Sequence, residues 1–406
     1  MTMQTQESTT QVPLAKGIDA ARLERELNAM WAEMSAPGAG AEGAGAARPG
    51  EAPPRASGVA RACVLNLVVY AEGAGARAEV DELLGAVVER HPCRAVVLAA
   101  ERGAAEPRLE AFVSTRCQLS ARGAKLICGE QITVEAAGAA VETASTAVAP
   151  LLVPDVPVFL WWRDIPHYED RLFERLAGMA DRVVIDSASF DEPREDLLRL
   201  ARLLEGGRLR LSDLNWGRLT SWRSLVACFW DVADYRASLA QIERVFIEYD
   251  PPDRARGQVA PKALLALGWL ASCLGWGVAE GGHSLGAGRA LFRLRGPEGR
   301  EVEAVLAATD DAAGRDGWLT SLTLSTAAGD EFYVELLHEE RRLKTGARLK
   351  GVGHAVGRVL GYEARSEGQR LSGELDILSR DEVYERAVAA AARMLGAAAG
   401  ERGAPE

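Results

Sequence analysis

Apolar positions recur along this chain with two distinct periods. Over Ile18 to Met34, Leu23, Leu27, Met30, Trp31 and Met34 fall at i, i+4, i+7, i+8 and i+11. That is one stripe of an amphipathic helix, with Asp19 placed to cap it. From Ala36 to Ser57 the pattern stops and the chain reads APGAGAEGAGAARPGEAPPRAS. Such a stretch buries too little apolar surface to offset its ordering entropy, so it reads as a flexible linker. The first helix is therefore expected to be tethered, either docking back on the body or meeting a partner.

From Arg61 strands and helices alternate. Cys63 to Tyr70 (CVLNLVVY) is almost continuously apolar, as expected of a strand buried on both faces. Glu79 to Arg90 reads as a helix and Arg94 to Ala100 as a second strand, a βαβ unit with a right-handed crossover. Ala111–Cys117 and Leu126–Glu135 predict further strands, added antiparallel. Ala140–Leu151 predicts a helix, Val156–Trp162 a strand, Glu169–Met179 a helix, Arg182–Asp186 a strand and Arg194–Leu204 a helix. The alternation points to a Rossmann-like α/β fold with an open, mostly parallel sheet.

Past Leu204 the reading is a helix over Leu219–Trp230, a strand over Val245–Tyr249 and an apolar helix ending near Gly275. Ala290–Arg295, Glu301–Ala307, Leu319–Leu324 and Phe332–His338 are short, partly alternating runs separated by Gly and Asp, the signal of an antiparallel meander. An Ala-rich helix over Arg380–Leu395 closes the pattern. The expected organisation is a helix and linker over 1–57, a Rossmann-like domain over 58–235 and a smaller α+β domain over 236–400.

Composition narrows the function classes. The chain has 406 residues, 48% hydrophobic and 26% charged, enough to bury sizeable cores. Its net charge is −11 and it has no Lys/Arg block, so neither nucleic acid nor an anionic membrane is expected as a partner. The six cysteines form no C-x-x-C pair, which argues against a zinc ribbon or thioredoxin motif. Sparse cysteines read as reduced, packed thiols of a cytoplasmic protein, and the polar start MTMQTQESTTQVPLAK lacks the apolar core of a signal peptide. Ala263 to Ala279 runs 17 residues without a charge but carries three Gly and a Ser. Spanning a membrane takes about 20 apolar residues, so this run reads as a core helix.

Candidate chemistry is sparse. Gly73-Ala-Gly75-Ala-Arg-Ala78 formally matches G-x-G-x-x-A between a strand and a helix, with Glu101 where a dinucleotide fold places its ribose-binding acid. Glu72 would repel a phosphate there, so a solvated turn is expected and no cofactor is assigned. His91 reads as a turn residue; His167, His283, His338 and His354 lie far apart without metal-ligand spacing. No nucleophile elbow or P-loop occurs, and no catalytic residue is assigned. The middle of the chain is unusual in its tryptophan and arginine. Trp161-Trp162-Arg163-Asp164 ends one predicted strand, Asp186-Ser187 ends the next, and Asp213 to Arg223 leads into a helix. Two readings stand side by side. The tryptophans are core and the arginines pair with Asp164 and Asp213, or Trp161, Trp162, Arg163, Trp216, Arg218, Trp222 and Arg223 form a partner surface. A small-molecule pocket is a third, and a regulatory pairing of Cys63 with Cys93 is also open.

Five strings carry a resemblance: HPCR (His91–Arg94), CGEQI (Cys128–Ile132), PDVPVFLWWR (Pro154–Arg163), ADRVVIDS (Ala180–Ser187) and DLNWGRLTSWR (Asp213–Arg223). In order and spacing they resemble the OpcA family, the glucose-6-phosphate dehydrogenase assembly proteins, over Arg61 to Trp276. The N-terminal helix and linker depart from that pattern. The motifs single out His91, Arg94, Glu130, Asp186, Ser187 and Asn215 as structural or ligand candidates. The resemblance implies a non-catalytic partner that binds glucose-6-phosphate dehydrogenase, favours its active oligomer and raises its activity in the oxidative pentose phosphate pathway. The alternatives are an NAD(P)- or sugar-phosphate-binding enzyme using Gly73–Ala78 and Glu101, or a metabolite sensor in which a sugar phosphate meets Arg94 or Arg163.

Overall fold

A computed structural model describes residues 6–12, 18–34, 59–73, 75–119, 126–167, 169–309, 316–351, 353–362 and 365–401. The stretch read as a linker, 36–57, lies outside them. The elements run β1 (Gln6–Val12), α1 (Ala20–Met34), β2 (Val59–Arg61), β3 (Leu65–Glu72), α2 (Ala76–Arg90), β4 (Cys93–Glu101), β5 (Arg108–Leu119) and β6 (Leu126–Ala137). They continue as α3 (Ser145–Val148), β7 (Val158–Trp162), α4 (Arg171–Ala177), β8 (Arg182–Ile185), α5 (Pro193–Glu205), β9 (Leu211–Asp213), α6 (Leu214–Arg218), α7 (Thr220–Cys228) and α8 (Arg236–Leu239). Then follow β10 (Ile242–Tyr249), α9 (Pro261–Leu274), β11 (Gly277–Val278), β12 (Ser284–Gly286), β13 (Arg289–Arg295), β14 (Glu301–Ala308) and β15 (Leu319–Thr326). The last are β16 (Glu331–Leu337), β17 (Arg342–Leu349), β18 (Gly353–Gly361), α10 (Glu367–Glu374) and α11 (Glu382–Glu401).

The chain divides into two compact units, Met1–Ile185 with Ser366–Ser379, and Asp186–Arg365 with Arg380–Glu406. This differs from the boundary expected near residue 235. The helix α5 packs on α9 and α11, which puts the segment after β8 in the second unit. No shift in composition marks the crossing.

In the first unit the strand order is β1-β5-β6-β4-β3-β7-β8. The ladders β6·β4, β4·β3, β3·β7 and β7·β8 are parallel. Numbered along the chain, these five parallel strands stand in the order 3-2-1-4-5 of the doubly wound fold. Every residue of β3 except Glu72 is buried, which is why its sequence shows no alternation. The antiparallel expectation for residues 126–135 is corrected in part: β6 is antiparallel to β5 but parallel to β4. The helix α1 forms as expected, with Asp19 accepting from the Arg22 N–H at 3.1 Å and Leu23, Leu27, Met30 and Trp31 buried. Cys128 is disulfide-bonded, against the expectation of reduced thiols; in the β5–β6 register its backbone partner is Cys117. Cys63 and Cys93 are free thiols.

The second unit centres on a mixed sheet, β11-β13-β14-β10-β15-β16-β17-β18. It is not a plain meander, because β10 inserts between β14, to which it is parallel, and β15. Pro261 opens α9 and Gly275, at φ 67°, closes it, and Ala263 to Leu267 inside it are all buried. No helix among the described residues is long and apolar enough to cross a membrane. The strands β17 and β18 carry no clear strand signal, because glycine interrupts them. A Cβ on Gly346 would overlap the Tyr333 ring, whose Cε1 lies 2.7 Å from that point, so the glycine leaves room for an aromatic on the neighbouring strand.

Candidate functional site

The strand carboxyl ends of the first unit are where an open α/β sheet builds its crevice, and β3 and β7 meet there at the reversal of strand order. The Tyr70 and Trp162 rings stack with centroids 3.9 Å apart, and Phe173 meets Trp162 edge-on at 5.0 Å. Trp161, on the opposite face, is fully buried. Arg163 leaves the strand with its guanidinium 5.1 Å from the Trp161 ring, 3.4 Å from Glu79 and 3.5 Å from Glu367.

The glycine turn lies between β3 and α2, with Gly73 at φ 110° and Gly75 at φ 93°, a conformation that glycine takes without strain. Its surroundings are acidic. Glu72 accepts from the Tyr70 hydroxyl at 2.8 Å, and that hydroxyl accepts from Arg102 Nε at 3.0 Å. The same guanidinium reaches Asp170 at 2.6 Å and Glu142 at 3.0 Å. Burial also raises the Asp164 carboxyl above its usual range. One guanidinium thus faces three carboxylates, and Glu79 lies in the first turn of α2. A dinucleotide pyrophosphate docked on this helix N-terminus would meet carboxylates, so these residues do not fit that group. Among the described residues no group of His, Cys, Asp and Glu is arranged to hold a metal ion.

Two motif residues stand side by side near the starts of the parallel strands. Arg94 on β4 and Glu130 on β6 are direct partners in the register, and Arg94 donates from Nε at 2.8 Å and Nη2 at 2.6 Å to Glu130 Oε2. Glu130 Oε1 accepts from Trp31 Nε1 at 2.7 Å and lies 2.6 Å from Arg61 Nε. Arg94 also pairs with Glu24, so α1 docks on the body through this network. His91 Nε2 donates to the Ser372 carbonyl at 2.7 Å and is 3.6 Å from Asp376, which ties the turn before β4 to α10 and the residues just after it.

The remaining motif residues converge in the second unit. Arg218 grips Asp186 with a bidentate fork at 2.6 and 2.7 Å. Asp213 caps α6: its Oδ1 accepts from the Ser187 and Asn215 backbone N–H groups at 2.9 and 2.8 Å, and its Oδ2 from the Tyr384 hydroxyl at 3.2 Å. Asn215 Nδ2 donates to Ser187 Oγ at 3.0 Å. Burial, reinforced by the neighbouring Asp186 carboxylate, pushes Asp213 up to about 6. Trp216 donates from Nε1 to Asp381 at 2.9 Å, and the Arg223 guanidinium lies 3.6 Å from its ring centre. Hydrogen bonds this dense around a buried carboxylate lock α6 to α11.

Asp186, Ser187, Asn215, Trp216, Arg218 and Arg223 are thus brought together, whereas His91, Arg94 and Glu130 serve other contacts. Trp161, Trp162, Trp216 and Trp222 are at most 4% exposed, so these indoles stand in the core rather than on a surface. Arg163, Arg218 and Arg223 are half-buried. Sequence reasoning missed Tyr384 and Asp381, and also Arg102, Glu24 and Trp31. Only the apolar stripe of α1 pointed toward Trp31, and no local pattern marks the others.

Residues 85–202 match the family model of the glucose-6-phosphate dehydrogenase subunit N-terminal domain, and residues 209–388 that of its C-terminal domain, both OpcA models. An OpcA protein of Nostoc punctiforme, assigned by name to the OxPP cycle, is 42% identical over 188 residues, covering 46% of this chain and 39% of that protein. One of Synechocystis sp. is 28% identical over 311 residues, covering 75% and 63%. The chain spans less than two thirds of the length of these relatives. Among solved structures, the 3-ketoreductase KijD10 of Actinomadura kijaniata overlaps with a TM-score of 0.46 at 11% identity, covering 84% of this chain and 98% of that one. A levoglucosan dehydrogenase overlaps with a TM-score of 0.44 at 12% identity, covering 83% and 98%. At those scores the overlaps carry no argument, and the fold is read from the strand order itself. The two domain matches together cover most of the chain, and the protein belongs to the OpcA family.

Proposed function

We propose that this protein is a non-catalytic subunit that binds glucose-6-phosphate dehydrogenase in the cytoplasm and raises its activity at the entry to the oxidative pentose phosphate pathway. The family models support a role with that dehydrogenase. The observation that carries the non-catalytic reading is the acid surplus around Arg102, which lines the crevice with Glu72, Glu142 and Asp170. The enzyme and sensor alternatives draw less support, because Arg94 is closed over by Glu130 and Glu24 and the glycine turn stands among acids. The net charge of −11 supports a protein partner over nucleic acid or an anionic membrane.

Of the Trp/Arg residues, the three half-buried arginines are the proposed contacts, Arg163 on the first unit and Arg218 and Arg223 on the second. The indoles act from beneath: Trp161 under Arg163 and Trp216 under Arg223 hold the guanidinium planes in place. Multi-angle light scattering of an equimolar mixture with the same organism's dehydrogenase tests the reading. A complex at micromolar concentration is expected, weakened about tenfold by Arg223→Ala or Arg163→Ala with the circular dichroism spectrum unchanged. Absence of a complex would sink the proposal, and folded variants that bind undiminished would sink the assigned contacts.

A further inference from the structure

The outer face of the second unit's sheet carries an ordered pattern. In register across β13, β14, β10, β15 and β16 stand Leu291, Val305, Phe246, Thr323 and Tyr333, a mostly apolar stripe that crosses the strands. Side chains alternate along a strand, and the next residues, Phe292, Ala304, Val245, Leu324 and Phe332, are buried on the inner face. Leu291, Phe246 and Tyr333 are only half-buried. The Tyr333 ring lies across Gly346 of β17, which keeps that end of the stripe flat. Two residues to either side, on the same face, the rows are charged. One row holds Arg293, Glu303, Arg244, Glu331 and Arg348, with Ser325 between Arg244 and Glu331. Within it Glu303 lies 3.3 Å from Arg244 and 3.0 Å from Arg293, and Arg348 lies 2.9 Å from Glu331. The Arg244 side chain, near the middle, is 61% exposed. The other row holds Arg289, Glu248, Glu335 and Lys344. The face thus sets five basic groups against four acidic ones and is close to neutral, whereas the whole chain carries −11. Two copies of the chain repel over their surfaces as a whole and least on this face.

We propose that this face is a homodimer interface, closed by a two-fold axis that runs along the strands between β14 and β10. An isologous contact needs a surface complementary to itself, and this one is. About that axis β14 of one copy covers β10 of the other. Glu303 then faces Arg244 of the second copy and Val305 faces its Phe246, and the axis makes each of these contacts twice. Farther out Arg293 faces Ser325, Leu291 faces Thr323 and Arg289 faces Ser321, so no like charges oppose along the three rows. The strands of the two sheets share one mean direction, the aligned packing of β-sandwiches, with the sheets about 10 Å apart. The apolar stripe lies at the centre and the charged rows form its rim, the usual anatomy of a specific interface. The inference concerns the second unit alone and does not rest on the dehydrogenase reading.

Sedimentation equilibrium of the full chain tests it, and a dimer is expected at micromolar concentration. Phe246→Asp puts a carboxylate in the middle of the stripe and is expected to leave a monomer with an unchanged circular dichroism spectrum. Arg244→Glu sets like charges against each other across the axis and is expected to raise the dissociation constant about tenfold or more. Adding Glu303→Arg reverses the pair and is expected to restore the dimer. An unmodified chain that stays monomeric overturns the proposal, and if Phe246→Asp then abolishes binding of the dehydrogenase, the face belongs to that enzyme instead. A dimer that survives both Phe246→Asp and Arg244→Glu overturns it as well, since the contact then lies elsewhere. So does a Glu303→Arg swap that restores nothing. Should Phe246→Asp fail to fold, Arg244→Glu and its swap decide, because the Arg244 side chain stands in solvent.

Discussion

Replacing Gly268 by alanine sets two physical effects against each other, and the structure says which one wins. Gly268 lies inside α9, where α11 crosses it. A Cβ built there would overlap the Ala387 carbonyl oxygen and lie 3.1 Å from its carbon and 3.2 Å from the Ala391 Cβ. On helix propensity alone the substitution stabilises by about 1 kcal/mol. The obstruction is backbone, which has no rotamer to yield, so the two helices must separate and open their apolar contact. Overpacking of this kind costs about 1–3 kcal/mol or more, and with a main-chain oxygen in the way the upper part of that range applies. We expect Gly268→Ala to lose about 2 kcal/mol net, read as a lower urea midpoint at unchanged m-value by far-UV circular dichroism. Gly396, in α11, has no atom within 4 Å of the corresponding position, so Gly396→Ala is the control and is expected to gain up to about 1 kcal/mol. A Gly268→Ala protein as stable as the unmodified chain would refute the close crossing.

Arg218→Ala removes both arms of the fork on Asp186 and is expected to cost about 1–3 kcal/mol, between exposed and fully buried pairs. Adding Asp186→Asn should recover most of it, and a double variant no more stable in urea titrations than Arg218→Ala alone would argue against the coupling. Asp213, pushed up to about 6 from 3.8 by burial and Asp186, holds its proton in the folded state over a range where the unfolded chain has released it. Its contribution is fully present below about pH 4 and is lost as pH rises through about 6, on the order of 3 kcal/mol. Asp213→Asn should therefore gain stability relative to the unmodified chain between pH 4 and 7, and parallel stability profiles of the two proteins would contradict the assignment.

How much was legible depended on whether a signal was local. The strands β3, β4, β7 and β8 announce themselves because burial on both faces leaves almost nothing but apolar residues. The helix α9 is marked by Pro261 and Gly275 at its ends. The strands β17 and β18 were missed because glycines at 346 and 357 make room for neighbouring residues and erase the alternation. The Trp/Arg segments are unusual in the sequence, and Asp186, Ser187, Asn215 and Arg218 meet around Asp213 in the fold. What they meet was not readable: Trp216 finds Asp381 across 165 positions, and Trp31 finds Glu130 across 99. Ion pairs and hydrogen bonds at such separations follow from topology, which no periodicity encodes. The same holds for the indoles, since tryptophan is equally at home in a core and at an interface, and only the burial separates the two.

The central claim is tested most directly by kinetics. Initial rates of the same organism's glucose-6-phosphate dehydrogenase are followed against glucose 6-phosphate with and without an equimolar amount of this protein. The account predicts a higher kcat/KM in its presence, with the split between KM and kcat telling whether ground-state binding or transition-state stabilisation has changed. An unchanged rate, from a dehydrogenase that is not already fully active on its own, would contradict it.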